Sequence, residues 1–320
     1  GFATAGTGRM TIPASGGITI GSLNIGHGAN GDEASTAVGR NALNSNASAT
    51  TAVRNTAIGD NTLTALSHDD ADDNTAVGYG SVDGLTDGIA NTGVGAYTLS
   101  ADCGDNNTAI GKSALNLFTG SNATAVGSGA ADSATTADGI TAVGISALQA
   151  LNHADGDNNT AIGAWSSDAL EGASSAGHSN TAVGAYSFSA SVDGSQNVAV
   201  GKSALHSGDC VDNNTAVGFE ALKAFTGSNA TVVGSGAADA ATSATFLTAV
   251  GKDALGALTI GLSNTAVGHK ALTTNLTTGD YDTAVGDTAG QDVYGDHNTL
   301  VGFQAGQYAS DVDHCIAIGS

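Results

Sequence analysis

Hydrophobic and polar positions follow one another along this chain in a short unit that recurs almost from end to end. The unit closes on a glycine, with Val or Ile one residue before it, a β-branched residue three before it, and a tiny residue between the two. Seventeen such glycines run from Gly39 to Gly319, spanning 280 residues in sixteen intervals, a mean period of 17.5. The position three before glycine is Thr except at Val198 and Ile316, and the tiny residue is Ala except at Gly93, Val232 and Leu300. Strict alternation of β-branched and tiny residues predicts a strand. Four residues after the glycine comes a second apolar anchor, as at Leu43, Leu63, Leu99, Leu115, Leu222 and Leu272, commonly preceded by Ala. A period this short holds about two strands of four or five residues and two turns, so each unit reads as one coil of a parallel β-solenoid rather than a βα unit. Stacked at ~4.8 Å, about eighteen coils, with an irregular one near Gly26, would make a rod of roughly 85 Å. The fold class expected is therefore all-β, a parallel β-roll of about 17-residue coils, with residues 1–34 as an irregular lead-in and 35–320 as the repeat shaft.

Successive side chains of a strand point to opposite sides, so Thr and Val share one face while Ala and Gly share the other. The β-branched face, with the Leu, is expected to line the coil. The Ala and Gly face is then expected outside, where tiny residues let a neighbouring chain approach closely. Association is also expected on energetic grounds. About three sizeable apolar side chains per coil, at roughly 1.5–3 kcal/mol each, do not comfortably offset the ordering of a coil at ~1–2 kcal/mol per residue. A longer repeat lies above the short one: residues 106–148 realign with 213–255, most visibly as Phe118–Thr124 and Phe225–Thr231. A spacer tolerates such block duplication; a catalytic pocket does not.

Composition narrows the classes further. Aromatics form 4% of the chain, Gly numbers 47 and Pro 1, which suits tight turns and neither a layered core nor a disordered linker. A net charge of -22 argues against nucleic acid or anionic membrane as partners. No apolar run approaches the ~18 residues of a membrane helix, so membrane insertion of this segment is not expected. The first residue is Gly1, and Ser320 follows the last strand immediately, so further chain is expected on both sides. Of three cysteines, Cys103 and Cys210 occupy equivalent turns in the duplicated block and Cys315 stands at a strand entrance. Equivalent turns six coils apart are separated by ~29 Å, beyond disulfide reach, and acidic neighbours suggest that Cys103 and Cys210 face solvent, so three unpaired thiols are expected.

The unit Asn214-Thr-Ala-Val-Gly218-Phe-Glu-Ala-Leu222 resembles the head repeats of YadA-like trimeric autotransporter adhesins, and is closer still to related repeats of bacteriophage tail-fibre proteins, where turns such as Thr277-Thr278-Gly279 are common. The likeness covers about residues 35–320 and rests on the number of repetitions. It implies a homotrimer of left-handed parallel β-rolls. Here Thr replaces the Val usual in the adhesin heads three residues before Gly, and the coil is longer than theirs.

Candidate chemistry is sparse. Acidic turns precede many strands, and Asp155, Asp157, Asp209 and Asp212 are the candidates for Ca²⁺, which takes several carboxylate and carbonyl oxygens in a flexible loop. The simpler reading is that Asp closes turns on its own backbone and keeps the chain soluble. His68, His153, His178, His297 and His314 fall in the same turns without a paired metal-binding spacing, and read as solvated turn residues. No nucleophile motif stands in a strand-to-helix context, so no enzyme and no catalytic residue is expected. Asn74, Asn107, Asn159, Asn214 and Asn264 open their units and are expected to form a stacked amide ladder. Tyr79, Tyr97, Trp165, Tyr186, Phe219 and Phe303 follow strand glycines, either as carbohydrate platforms or, preferably, as fillers between coils or chains. The expected function is an extracellular or virion-surface fibre segment, tail-fibre-like, that positions a receptor-binding tip and contacts surface glycans. Its partners would be copies of itself in a homotrimer and a cell-surface receptor or glycan. The alternatives are the head of a bacterial surface adhesin and an ice-binding solenoid, the last requiring that Thr108 and its equivalents be unburied.

Overall fold

The computed structural model describes residues 10–11, 18–20, 23–27, 34–44, 52–68, 70–151, 156–170, 177–191, 193–207, 211–273, 279–309 and 312–320, and contains no helix among them. The chain forms two compact units, Gly1–Asp157 and Asn158–Ser320. In the first, β1 (Met10–Thr11), β2 (Ile18–Ile20) and β3 (Leu23–Gly26) make an antiparallel meander. Seven parallel strands follow: β4 (Thr36–Val38), β5 (Thr56–Ile58), β6 (Thr75–Val77), β7 (Thr92–Val94), β8 (Thr108–Ile110), β9 (Thr124–Val126) and β10 (Thr141–Val143). The second unit holds ten more: β11 (Thr160–Ile162), β12 (Thr181–Val183), β13 (Val198–Val200), β14 (Thr215–Val217), β15 (Thr231–Val233), β16 (Thr248–Val250), β17 (Thr265–Val267), β18 (Thr283–Val285), β19 (Thr299–Val301) and β20 (Ile316–Ile318). Each pairs in parallel with the next, like residue over like, as in Thr265 on Thr283, Ala266 on Ala284 and Val267 on Val285. This is a β-solenoid with one three-residue strand per coil. The sequence near Gly26 is not a coil but an antiparallel neighbour, pairing Ile25 with Val38 and Gly26 with Ala37.

The two faces of the strand are the reverse of the expectation. Ala37, Ala57, Ala109, Ala161, Ala216 and Ala266 are buried inside their own coils, whereas Thr and Val of the same strands are partly to largely exposed. The Ala face is therefore closed to any neighbouring chain. The reason is the width of the coil. Its interior already receives the anchor four residues after glycine and a further anchor seven residues after it, at Leu66, Leu85, Phe118, Leu151, Leu170, Phe225, Leu258 and Val293. A narrow interior filled from one wall by Leu and Phe accepts only methyl-sized side chains from the other.

Among the described residues a second strand per coil is also not formed. The Leu anchors occupy left-handed backbone conformation, with φ between 46° and 52° at Leu43, Leu63, Leu99, Leu115, Leu222 and Leu272. So do the residues two after the strand glycine, such as Asn41, Tyr97 and Ser113, and those before the strand-opening Asn, such as Arg54, Asn106 and Gln196. These corners are held by neighbouring coils, because Leu115 N–H donates to the Ala130 carbonyl at 3.0 Å and Ser113 N–H to that of Ala96 at 2.9 Å. The strand glycine itself is obligatory. Gly95 has φ +143°, and a Cβ there would stand 2.5 Å from the Gly111 carbonyl oxygen of the next coil.

Exceptions in the Ala row are compensated in place. Leu300 replaces Ala, and the anchors beside it are Gly290 and Gly306: a Cβ on either would lie 2.6 or 2.7 Å from a Leu300 methyl. Gly93 replaces Ala where Ser81, Val82 and Thr98 crowd the site, the Ser81 and Thr98 hydroxyls meeting at 2.6 Å. The duplicated Phe118 and Phe225 are both fully buried, each with its ring end against the open Cα of Gly120 or Gly227.

Candidate functional site

Turning Ala inward leaves Thr and Val or Ile as two in-register rows on the outward side of the sheet. Ile58, Ile110 and Ile162 are about 40% exposed, and Thr108 is partly exposed, although Ile58, Ile110 and Thr108 are each flanked by β-branched residues above and below. At ~4.8 Å per strand and ~10 Å of width, the strips on the two units measure roughly 350 and 500 Å². Strips of this extent match the largest apolar patch of a typical monomer, a patch that is often functional.

The polar edge is committed to the backbone. At the Asn positions from Asn55 onward the side chains form the expected ladder, interrupted at Ala123 and Ile140 and at Ala230 and Leu247, and its bonds run to main chain rather than from amide to amide. Asn91 N–H donates to Asn74 Oδ1 at 2.9 Å, while Asn74 Nδ2 donates to the Gly88 carbonyl at 2.9 Å. The same pair of bonds recurs at Asn180, with Asn197 N–H and the Gly194 carbonyl. One rung in the second unit is Asp282, fully buried, its Oδ2 without a partner.

Among the calcium candidates, Asp157 Oδ1 accepts the N–H of Asp138 at 2.7 Å and Asp212 Oδ1 accepts that of Ser195 at 2.8 Å. Asp155 and Asp209 lie outside the described residues. Asp72, Asp105, Asp280, Asp296 and Asp313 do the same for Val53, Ile89, Leu262, Asp280 and Asp296, so these aspartates cap N–H groups of the preceding coil. Among the described residues no three His, Cys, Asp or Glu side chains converge as a metal site. His297 and His314 stack at 4.9 Å with Tyr281 on the other side at 5.0 Å, forming a column and not a chelate; His153 lies outside the described residues.

The aromatic residues also spend their faces on one another. Trp165 and Tyr186 stack at 5.4 Å and 8°, and Tyr79 meets Tyr97 edge-on at 5.3 Å, so these four pack between successive coils, while Phe219 and Phe303 are about half exposed. Cys103 is buried rather than solvent-facing, and burial pushes its thiol up to about 12. Its turn curls the side chain into the coil, where no disulfide partner stands. Cys315 is a half-buried free thiol, and Cys210 lies outside the described residues.

No protein-family model, curated protein or solved structure matches the chain. The functional reading therefore rests on geometry, and the outward Thr and Val rows are its most distinctive element. No helix among the described residues is long and apolar enough to cross a membrane.

Proposed function

We propose that this chain is a non-enzymatic fibre segment, carried outside the cell or on a virion surface, that assembles as a homotrimer through its outward Thr and Val rows and holds a receptor-binding element away from its base. The observation that carries the reading is the pair of in-register, outward-facing β-branched rows that each unit presents. In-register rows on repeated strands suit a second copy of the same chain, since each coil meets an identical coil. The sequence likeness to tail-fibre repeats supports the trimer and the virion setting, and surface glycans are a secondary contact. A bacterial adhesin head shares this architecture; an outer-membrane anchor rather than a virion-attachment domain in the full gene product separates the two.

Sedimentation equilibrium tests the assembly. The wild-type chain should carry the mass of three copies, and Val217→Lys with Val250→Lys should reduce it to one while the β-sheet circular dichroism persists. A folded wild-type monomer at micromolar concentration overturns the reading.

One observation favours a second reading. Thr on outward rows at coil spacing, as at Thr265 over Thr283, is the arrangement an ice-binding surface needs, and Thr108 is not buried. A trimer would cover these rows. A monomer that shows thermal hysteresis selects ice binding, and a trimer without hysteresis selects the fibre.

A further inference from the structure

One rung of the ladder in the second unit has different chemistry from the rest. At Asn159, Asn180, Asn197, Asn214, Asn264 and Asn298 the side-chain amide donates to the carbonyl three residues before the next rung: Gly177, Gly194, Val211, Gly227, Gly279 and Val312. Asp282 keeps the other half of the pattern, since its N–H donates to Asn264 Oδ1 at 2.9 Å and its Oδ1 accepts the Asn298 N–H at 2.8 Å. Its Oδ2 takes the place of the missing amide nitrogen, buried and without a hydrogen-bond partner. The ladder spacing puts the Gly295 carbonyl opposite it, three residues before Asn298. By that spacing the carbonyl that an Asn amide satisfies in the other rungs falls here to Asp282, and neither of the two oxygens donates unless the carboxyl carries a proton.

We propose that Asp282 is a proton-operated rung: with a proton on Oδ2 it donates to the Gly295 carbonyl and locks the coils of β19 and β20 onto the rest of the second unit, and on losing that proton it makes this junction the unit's weakest. No covalent change is involved, only one proton exchanged with water.

The surroundings agree with this. Burial pushes the Asp282 carboxyl up to about 6, opposed by the Asn298 N–H and by the nearby Asn298 amide, whose own hydrogen bond goes to Val312. Asp296 adds a further push upward and His297 a pull downward. The titratable groups around it are Asp280 and Tyr281 on its own turn and Asp296 and His297 on the following coil, with His314 stacked beyond His297. The turn of the preceding coil, residues 259–264, carries none. A carboxyl raised on folding binds its proton more tightly in the folded state. Its contribution is complete below the unfolded value near 3.8, is lost as pH climbs toward about 6, and changes no further above that.

The test compares the full wild-type chain with Asp282→Asn, reading amide-exchange protection in Thr299–Val301 and Ile316–Ile318 against β12 to β14 as internal reference. At about pH 7.5 the variant should protect the two C-terminal strands more strongly, by up to about 100-fold, the ratio in proton affinity between the unfolded and folded carboxyl; near pH 4 the two proteins should coincide. Equal protection at both pH values overturns the proposal, as does a gap that persists at low pH, which would mean that the amide simply packs better. Asn264→Asp, a carboxyl in an ordinary rung, should import the same pH-dependent loss one coil earlier, and a loss independent of pH would again refute the mechanism.

Discussion

Leu300 offers the most direct test of the packing logic, because it exchanges size with its neighbours along the solenoid. It occupies the row that mostly holds Ala, between Gly290 and Gly306 in the row that most often holds Leu, and its methyls stand where their side chains would be. Leu300→Ala alone removes the bulk that stands in for the side chains missing at Gly290 and Gly306. With glycines on both sides nothing can collapse into the void, so the loss should sit in the middle of the usual 2–5 kcal/mol, about 3 kcal/mol. Gly290→Leu alone drives a side chain into Leu300 Cδ1 and Leu272 Cδ2, whose distances from a mere Cβ would be 2.6 and 2.8 Å, at a cost of about 2 kcal/mol or more. Its backbone is not the obstacle, since φ at Gly290 is 61° and Leu272 sits at 51°. Together the two changes restore the ordinary Ala and Leu arrangement, leaving only the Gly306 gap, and should cost less than about 2 kcal/mol, a coupling of about 3 kcal/mol. Urea unfolding followed by circular dichroism at fixed chain concentration measures all four corners of the cycle. Additivity within about 0.5 kcal/mol, or a Leu300→Ala cost below about 1 kcal/mol, would refute size exchange as the reason for these substitutions.

Two further outcomes follow from the same geometry. Gly218→Ala combines φ +145° with a Cβ 2.6 Å from the Gly234 carbonyl carbon, so it should abolish soluble folded protein or lower stability by more than about 4 kcal/mol, read from expression and melting; a near-neutral result would contradict the coil stacking. Cys103, buried with its thiol near 12, should resist a thiol reagent at neutral pH until the chain is unfolded while Cys315 reacts in the folded state, and prompt modification of Cys103 in the native protein would place it outside the core.

The period, the strand positions, the Leu anchors and the asparagine ladder were legible in the sequence, because each recurs as a preferred residue type at a fixed offset from the strand glycine. Which strand face turns inward was not. Both faces are uniform, and ranking them by bulk put Thr and Val inside. The deciding fact is the anchor seven residues after glycine, which shifts identity among Leu, Phe, Val and Ala and so hides in the variable turn. The αL backbone of Leu115 or Leu222 has no propensity signal either, since Leu has no local reason to adopt it. The Ala and Gly face, expected to meet a neighbouring chain, is the buried one, and the orphaned oxygen of Asp282 emerged only when the ladder's bonds were traced rung by rung.

The left-handed corners bear on how such a chain acquires its fold. Each costs of order 1–2 kcal/mol on a residue other than glycine, and most coils carry two or three of them, so a solitary coil opposes its own formation. The bonds that hold these corners reach to adjoining coils, as from Ser113 back to Ala96 and from Leu115 forward to Ala130. Nucleation is therefore costly and extension cheap, as in a zipper. Growth should proceed by templating, each new turn copying the backbone of the last.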